Sequence, residues 1–433
     1  MASKKVTRRS FLKRAGLATV GAGSVFYGPW KHNRVYASQT DKPILIGLTS
    51  DASGQYANSG ASDRRGMQLA MGEFNAKGGV LGRQVKFIHM DTETNPATGS
   101  RVAERMITRN EVSFLVGAVS SGVANAISQV AQKYGVIYLN SNSSSPTESG
   151  KNCHRVKFVW DGNGTNFAKA AVKNAINTFG KKWLLLTNDY VWGHNTSKST
   201  RKIVEQYNGK IVDELLVPQG TRDFTSYLIK IQQIKPDVVA AAVGGDDQKV
   251  MRGQVAQLGM GKKPAWINNQ QDWPDVYGLP IDNLFGVFGT TWYFRLDLPG
   301  VESFVKRYRR MFPHTSMEVP GNVFYNGYMA TKELLKAVER AGTTNNIKVI
   351  KELDSLKVSA RDRMQHYDAF MGSNHQMQQT VYLATANEEA NWKKDKNDLF
   401  KILSWVPPKD VEDSDAMAAC NMESYDETPT YET

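Results

Sequence analysis

The stretch from Ile44 to Asp91 constrains the fold more than any other part of the 433-residue chain. It begins with a short apolar run, Ile44 to Leu48, whose length suits a buried strand. After a polar loop, apolar residues recur at helical spacing, at positions 67, 70, 71 and 74. Gly78 and Gly79 end that helix, and residues 85–90 supply a second strand. A strand, a helix and a strand in this order predict a parallel sheet.

The loop after the first strand indicates where a ligand would bind. In parallel sheets, ligands bind outside the carboxyl ends of the strands. Residues 50–59 lie at that end and lead into a helix N-terminus, whose free N–H groups favour an anion. Tyr56 and Ser59 are therefore candidate ligand contacts.

The alternation of strands and helices continues in two series. One runs to about residue 139 and the other from about 165 to 288, and each predicts an α/β lobe with helices on both faces of a parallel sheet. The chain length also favours two domains, because one hydrophobic core rarely serves so many residues. Residues 140–146, although rich in Ser and Asn, are interpreted as a strand-end loop.

The N-terminus predicts export. Residues 7–13, TRRSFLK, form a twin-arginine signal, and the weakly apolar run that follows is too short to span a membrane. Cleavage after Ala37 would remove eight Lys/Arg and no acid, so the formal net charge falls from +12 to about +4. Most of the basic excess thus belongs to the signal, and we do not expect a nucleic-acid partner. We expect the folded protein in the periplasm.

The two cysteines, Cys153 and Cys420, allow one intramolecular disulfide, which an oxidising compartment favours. Two buried free thiols are the alternative. Enzyme signatures are missing from the sequence: it contains no Gly-x-Ser-x-Gly, Walker or dinucleotide glycine motif, and its seven histidines lack ligand-like spacing. We therefore expect no catalytic site, no metal and no cofactor.

The opening stretch also resembles a known family. The ordered set is Asp51-Ala-Ser-Gly54, Gly60, Gly66, Asn75-Ala-Lys-Gly-Gly79, Gly82 and Asp91. It resembles the opening of the periplasmic branched-chain amino acid-binding proteins, which are type I substrate-binding proteins of ABC importers. The resemblance extends over most of residues 43–384 and implies two doubly wound parallel-sheet lobes joined by a multi-strand hinge. A small ligand would bind between the lobes.

The resemblance also implies a division of the chain. We expect an export signal at 1–37, lobe 1 at 38–160 plus 290–358, and lobe 2 at 161–289 plus 359–405. Residues 406–433 are rich in Pro, Asp, Glu and Ser, and predict an extended C-terminal tail fastened at Cys420.

In the relatives, hydroxyl residues after the third and fourth strands hold the ligand carboxylate. The matching residues are Ser121 and Ser144, with the Asn142 carbonyl nearby. For Ser121 a plain helix N-cap is the alternative. An acidic residue that pairs with the ligand ammonium in the relatives is matched by Gln270, which carries no charge.

The loss of this acid leaves the ligand class open. Unless Asp246 or Asp272 substitutes, the ligand would be a carboxylate without an amine, or an amide, rather than an amino acid. Asp246 lies in a loop that is otherwise read as a solvated helix N-terminus. Trp192 is a candidate pocket wall, with core packing as the alternative. Five tryptophans near strand ends or crossings slightly favour an aromatic or apolar ligand; they are residues 160, 192, 266, 273 and 292.

By this resemblance the protein is a monomeric solute-binding protein that delivers a small organic ligand to the permease subunits of an ABC importer. A ligand-sensing module of a periplasmic signalling system is the alternative, and a periplasmic enzyme is a weaker one.

Overall fold

The computed structural model describes residues 42–387 and 393–433. The export signal predicted at residues 1–37 lies outside the described residues. None of the helices in the described ranges combines the length and the apolar character that crossing a membrane requires.

The first sheet organises lobe 1. Its five strands are all parallel, in the order β2-β1-β3-β4-β5. The strands are β1 (Ile44–Leu48), β2 (Val85–His89), β3 (Phe114–Gly117), β4 (Tyr138–Asn140) and β5 (Lys157–Val159). The connecting helices are α1 (Ala57–Asn75), α2 (Pro96–Thr108) and α3 (Ser121–Tyr134). The parallel sheet expected from the opening stretch is confirmed.

The second sheet organises lobe 2, with seven strands in the order β15-β14-β10-β9-β8-β6-β7. The strands β6 to β10 are parallel, whereas β14 and β15 add an antiparallel edge. The strands are β6 (Lys182–Asn188), β7 (Lys210–Val217), β8 (Val238–Ala242), β9 (Ala265–Asn268), β10 (Val287–Thr290), β14 (Val381–Ala386) and β15 (Phe400–Val406). Its helices are α4 (Gly164–Phe179), α5 (Val191–Gln206), α6 (Thr225–Ile234) and α7 (Gly245–Gln257).

Both faces of the lobe 2 sheet are buried, as its nearly continuous apolar strands require. Successive residues of β6 point to opposite faces: Trp183 and Leu185 join one apolar cluster with α4. Leu184 and Leu186 join another cluster with α6 and α7. This is the doubly wound arrangement expected from the sequence.

Between β10 and β14 the chain returns to lobe 1. The elements there are α8 (Val301–Met311), α9 (Asn322–Ala341), α10 (Asn346–Asp354), β11 (Lys357–Val358), α11 (Ala360–Arg363), β12 (Ala369–Met371) and β13 (Met377–Gln378). β11, β12 and β13 form a small antiparallel sheet. The chain therefore passes between the two large sheets at residues 160–163, 291–300 and 379–380. Val358, where the sequence suggests the third crossing, instead lies in the small sheet.

The C-terminal segment departs from the extended path expected for it. Two short helices, α12 (Pro408–Val411) and α13 (Ser414–Ala419), follow β15. They form because Val411 and Ala416 are buried, and because the Asp413 side chain accepts a hydrogen bond from the Ala416 N–H and so caps α13. The predicted disulfide is present between Cys153 and Cys420.

Candidate functional site

Both large sheets reverse their strand order at one point, and ligands of open parallel sheets bind at such points. In lobe 1 the reversal lies between the neighbouring strands β1 and β3, because the chain adds β2 on one side of β1 and β3 on the other. In lobe 2 it lies between β6 and β8. The loops that leave the carboxyl ends of these four strands face one another across the cleft.

A cavity of about 20 Å³ lies where these loops meet, which is room for about one water molecule. Both lobes contribute to its walls. Lobe 1 provides Tyr56, Val119, Asn142 and Ser144, and lobe 2 provides Tyr190, Trp192, Gly244, Gln270, Asp272 and Asp275. The cleft is therefore closed down to a small polar space.

Direct contacts between the lobes account for this closure. The Gln55 side-chain amide donates to the Gly244 carbonyl at 2.9 Å and to Asp247 Oδ2 at 3.0 Å. The hydroxyls of Tyr56 and Tyr190 hydrogen-bond to each other. These contacts join the loop after β1 to the loops after β6 and β8.

Five of the predicted ligand contacts line the cavity: Tyr56, Asn142, Ser144, Trp192 and Gln270. Ser144 Oγ donates to Gln270 Oε1, so the loop after β4 touches the loop after β9. The Asn142 amide donates to Asp63 Oδ1 at 2.7 Å, deep in lobe 1. The indole N–H of Trp192 is buried and has no hydrogen-bond partner among the described residues.

Three other predicted contacts do not line the cavity. Ser121 is the first residue of α3, behind the loop after β4, and its hydroxyl accepts hydrogen bonds from Ser143 Oγ and the Ser145 N–H. Ser59 is buried in the first turn of α1, where it donates to Asp275 Oδ1 at 3.3 Å. Asp246 is half-exposed, and the buried acid of its loop is the next residue, Asp247.

Two aspartates also line the cavity. Asp272 is the possible substitute for the acid matched by Gln270, whereas Asp275 is not among the residues predicted from the sequence. A third buried aspartate, Asp161, lies behind Gln270. The Gln270 amide bridges two of them, donating to Asp161 Oδ2 at 2.8 Å and to Asp272 Oδ1 at 3.0 Å. Asp275 accepts from the Gly245 N–H at 2.9 Å.

These three carboxyls are poorly stabilised in their charged form. Burial raises the pKa of each of Asp161, Asp272 and Asp275 to about 7. Within the described part of the chain, no lysine or arginine forms an ion pair with any of them. The buried Arg252 guanidinium instead donates to Gln271 Oε1. In the described part of the chain, these buried carboxyls thus lie at the cleft without an ion pair that would favour their charged form.

A buried acid also supports the lobe 1 side of the site. Asp63 accepts hydrogen bonds from Ser50, Ser141 and Asn142, which belong to the loops after β1 and β4. Burial raises the pKa of Asp63 to about 8. Its role is to hold these two loops in register beneath the cavity.

One of the five tryptophans near strand ends or crossings lines the cavity. Trp192 lines the cavity, but Trp160, Trp266, Trp273 and Trp292 are buried in the apolar clusters of the lobes. Proximity to a strand end does not decide whether an indole faces the cleft or the core.

The missed residues carried weak signals. Tyr190 lies just after β6, two residues before Trp192, and its ring lies 6.1 Å from the Trp192 ring. Asp275 follows Trp273-Pro274, and a proline there indicates a tight turn after β9. Asp161 sits in the first crossing segment, next to Gly162. No group of three or more His, Cys, Asp or Glu that suits a metal ion occurs in the described ranges.

Comparison with known proteins agrees with this geometry. A family model described as periplasmic binding protein matches residues 43–394. Leu/Ile/Val-binding protein homolog 7 of Brucella suis is 26% identical over 364 residues, which cover 78% of this chain and 88% of that protein. Leu/Ile/Val-binding protein BraC3 of Rhizobium johnstonii is 27% identical over 206 residues, and this match spans 47% of the chain and about half (55%) of the relative.

Solved structures share the fold. A periplasmic binding protein from Burkholderia mallei superposes with a TM-score of 0.79 at 23% identity, covering 86% of this chain and 96% of that one. A solute-binding protein of an ABC transporter from R. palustris, in complex with benzoate, gives a TM-score of 0.74 at 20% identity, covering 85% and 97%. The chain therefore belongs to the periplasmic binding protein family.

Proposed function

We propose that this periplasmic binding protein captures a small organic ligand with a positively charged nitrogen and delivers it to the permease of an ABC importer. The observation that carries the ligand class is the pair Asp272 and Asp275, two buried carboxyls that line the inter-lobe cavity and form no ion pair with a lysine or arginine among the described residues. Export through the twin-arginine signal at residues 7–13 is part of the same proposal.

An ionised carboxylate buried without a counter-charge is costly, and its pKa rises until it takes up a proton. A ligand ammonium in the cavity would supply the missing charge and favour the ionised form. Gln270 does not provide a negative charge itself, but it holds Asp272 in place through its amide. Asp272 and Asp275 thus substitute for the acid that the resemblance locates at position 270.

The rest of the cavity suits the same kind of ligand. The rings of Tyr56, Tyr190 and Trp192 are neighbours in its lining, and aromatic faces attract organic cations. The unpartnered Trp192 N–H is a donor that needs an acceptor. An amino acid offers an ammonium and acceptor oxygens together, whereas an amide offers N–H donors and an acceptor oxygen but no positive charge. An aromatic carboxylate such as the benzoate of the R. palustris protein would face Asp272 and Asp275 with like charge.

Binding would act through lobe closure. The contacts of Gln55, Tyr56 and Ser144 with lobe 2 exist only when the cleft is closed, so a ligand that adds contacts to both lobes shifts the equilibrium towards this state. A sensory role of the same fold remains the competing function. Co-purification with permease subunits in detergent supports transport, whereas capture by a membrane receptor alone supports sensing.

The ligand class is tested with a library of small organic cations, zwitterions, neutral amides and carboxylates, matched in size. Thermal shift of the mature protein identifies binders, because a ligand of the folded state raises its melting temperature. Hits that carry an ammonium are expected. Hits confined to neutral compounds or anions would refute the ligand class but not the binding function. The absence of any hit in the library would count against the binding function itself.

Isosteric variants then test the residues. For a hit, Asp272→Asn and Asp275→Asn should each weaken binding about tenfold to a hundredfold in calorimetry, since a hydrogen bond to a charged group contributes about 1.5–3 kcal/mol. The matched control is Asp297→Asn, which neutralises an exposed aspartate away from the cleft. Equal affinity in all three variants would remove both aspartates from the site.

A further inference from the structure

We propose that the C-terminal strap, defined as residues 407–433, is a fourth connection between the lobes, covalently fastened by the disulfide, and that it limits how far the cleft opens. The three crossings of the main fold lie at residues 160–163, 291–300 and 379–380. The strap leaves lobe 2 after β15 and ends on lobe 1.

The first part of the strap is docked on lobe 2. Val411 is 2% exposed and packs in the apolar cluster of α4 and the lobe 2 sheet. The Val411 carbonyl accepts from the Asn166 amide at 2.6 Å, and the Glu412 carbonyl accepts from Lys169. Asp415 forms an ion pair with Lys202 of α5.

The second part is docked on lobe 1 over its whole length. Cys420 is bonded to Cys153 in the loop between β4 and β5. Beyond it, Glu423 accepts from the Arg155 N–H at 3.0 Å, and Tyr425 contacts Asp354. The final residues reach the segment before β2, where the Thr433 carbonyl accepts from Arg83 at 3.1 Å.

The transfer from lobe 2 to lobe 1 occurs beside the first crossing. Asn163, which caps the N-terminus of α4, also donates to Asp413 Oδ2 at 3.3 Å. Gly150 of lobe 1 faces Ala416, since a Cβ built on the glycine would lie 3.5 Å from the Ala416 Cα. A rotation of the lobes that separates these surfaces must therefore move or stretch residues 413–420.

Residues 413–420 can lengthen only a little when the lobes separate. α13 holds six residues of this span in helical form. Unwinding all six would lengthen the strap by about 11 Å, the difference between about 3.4 and 1.5 Å per residue. Unwinding also removes the Asp413 cap and strains the Asp415–Lys202 ion pair. Small openings are thus permitted, and wide ones require α13 to melt.

The disulfide makes Cys420 the first point at which the strap is covalently attached to lobe 1. Without it, the next side chain bonded to lobe 1 is that of Glu423, three residues further on, which adds about 10 Å of reach. The restraint is therefore strongest in the oxidised protein and relaxes when the disulfide is reduced.

The test is single-molecule energy transfer on ligand-free protein, with dyes on non-cysteine labels at exposed Arg109 in lobe 1 and Gln233 in lobe 2. The variant is Cys153→Ser with Cys420→Ser. We expect its inter-dye distances to extend several Å beyond those of the oxidised wild type, and reduced wild type to match it. The matched control is Tyr431→Phe, which removes a lobe 1 hydrogen bond beyond the disulfide and should leave the distances unchanged.

Identical distance distributions in oxidised, reduced and Ser-substituted protein would overturn the proposal. If the double variant does not fold, reduction of folded wild type still provides the comparison. The inference assumes the opening motion of the proposed function, but no ligand enters the measurement. A protein that binds its ligand yet shows no effect of the disulfide would refute the strap alone.

Discussion

Ser143 Oγ donates a hydrogen bond to Ser121 Oγ at 2.9 Å, so the first residue of α3 fixes the loop after β4 from behind. The same Ser143 hydroxyl lies 3.0 Å from Glu148 Oε1. Ser121 therefore positions the loop that carries Asn142 and Ser144 to the cleft. The resemblance implies that both Ser121 and Ser144 hold the ligand carboxylate, with a helix N-cap as the alternative for Ser121, but only Ser144 of the two lines the cavity.

The two serines should consequently respond differently to alanine. Ser144→Ala removes the hydrogen bond to Gln270 across the cleft and should weaken an identified ligand about threefold to tenfold, for a net bond of about 0.5–1.5 kcal/mol. Ser121→Ala should mainly lower the melting temperature, because it leaves the Ser145 N–H unpaired. Calorimetry and thermal denaturation of both variants separate the two effects. Loss of affinity in Ser121→Ala without loss of stability would restore it as a direct contact.

The sequence predicted the parts of this protein that local patterns decide. The β1–α1–β2 unit, the two lobes, the strand-end position of the site and the Cys153–Cys420 disulfide follow from periodicity, cysteine count and resemblance. The cleft depends on how two lobes approach each other. Asp275 and Ser59, for example, are 216 positions apart in sequence and are in contact because the two lobes approach each other. A local sequence pattern cannot predict such a contact.

Whether a tryptophan side chain packs in the core or lines the cleft was equally hard to predict from the sequence. Trp273 and Trp192 both follow strand ends in lobe 2. Trp273 turns towards the rings of Tyr293 and Phe400, whereas Trp192 lines the cavity. The difference arises from packing against Gly321 of lobe 1, where a side chain would overlap the Trp273 ring. Such complementarity between distant segments is a tertiary property.

The buried carboxyls predict how stability depends on pH. The pKa of Asp63 is about 8 in the folded protein, and those of Asp161, Asp272 and Asp275 are about 7, all above the ordinary value of 3.8. Between about pH 4 and 8 the folded state therefore binds more protons than the unfolded state, and the free energy of unfolding falls as pH rises. Urea denaturation of the ligand-free protein at pH 5 and pH 8 measures this. Greater stability at pH 8 would contradict the assignment.

Binding of an ammonium ligand should show the opposite trend. The ligand stabilises the ionised carboxylates of Asp272 and Asp275, so its affinity should rise from pH 5 to about pH 8, with release of protons. Lys249 and Arg252 lie close enough to Asp275 to interact with its charge, although neither forms an ion pair with it. Calorimetry in two buffers of different ionisation enthalpy counts the protons. Proton uptake on binding would exclude this ligand charge.

The ion pair between Glu148 and Lys157 should be strongly coupled. Both side chains are at most 1% exposed, and they lie beneath the loop of Ser143. Removing one partner leaves a buried charge unpaired, so Glu148→Gln or Lys157→Met should each cost about 3–5 kcal/mol of unfolding free energy. The double variant should cost less than the two added together.

An exposed pair provides the comparison for this experiment. Lys306 and Glu302 lie one turn apart on α8 and are 67% and 84% exposed. Lys306→Met should change the free energy of unfolding by less than about 0.5 kcal/mol. Urea denaturation measures both variants. If Lys157→Met and Lys306→Met change the free energy of unfolding equally, then burial is not the cause of the large effect expected at the Glu148–Lys157 pair.

The contact between α1 and α9 depends on a glycine. A Cβ built on Gly66 would lie 2.1 Å from the Phe324 carbonyl oxygen and 2.8 Å from the Tyr328 nitrogen. These are backbone atoms of α9, which have no rotamer to move into. Any side chain at position 66 must therefore push the two helices apart.

Gly66→Ala should accordingly destabilise the protein by about 1–3 kcal/mol, as overpacking in a dense core does, although alanine is the better helix former. Gly72 on the same helix is the matched control, because the nearest heavy atom to its added Cβ is the Met311 Cε at 3.5 Å. Gly72→Ala should stabilise the protein by up to about 1 kcal/mol. Urea denaturation of the two variants measures the contrast. If both substitutions stabilise, then α1 and α9 have room to separate, and the close packing that Gly66 permits is not required for the fold of lobe 1.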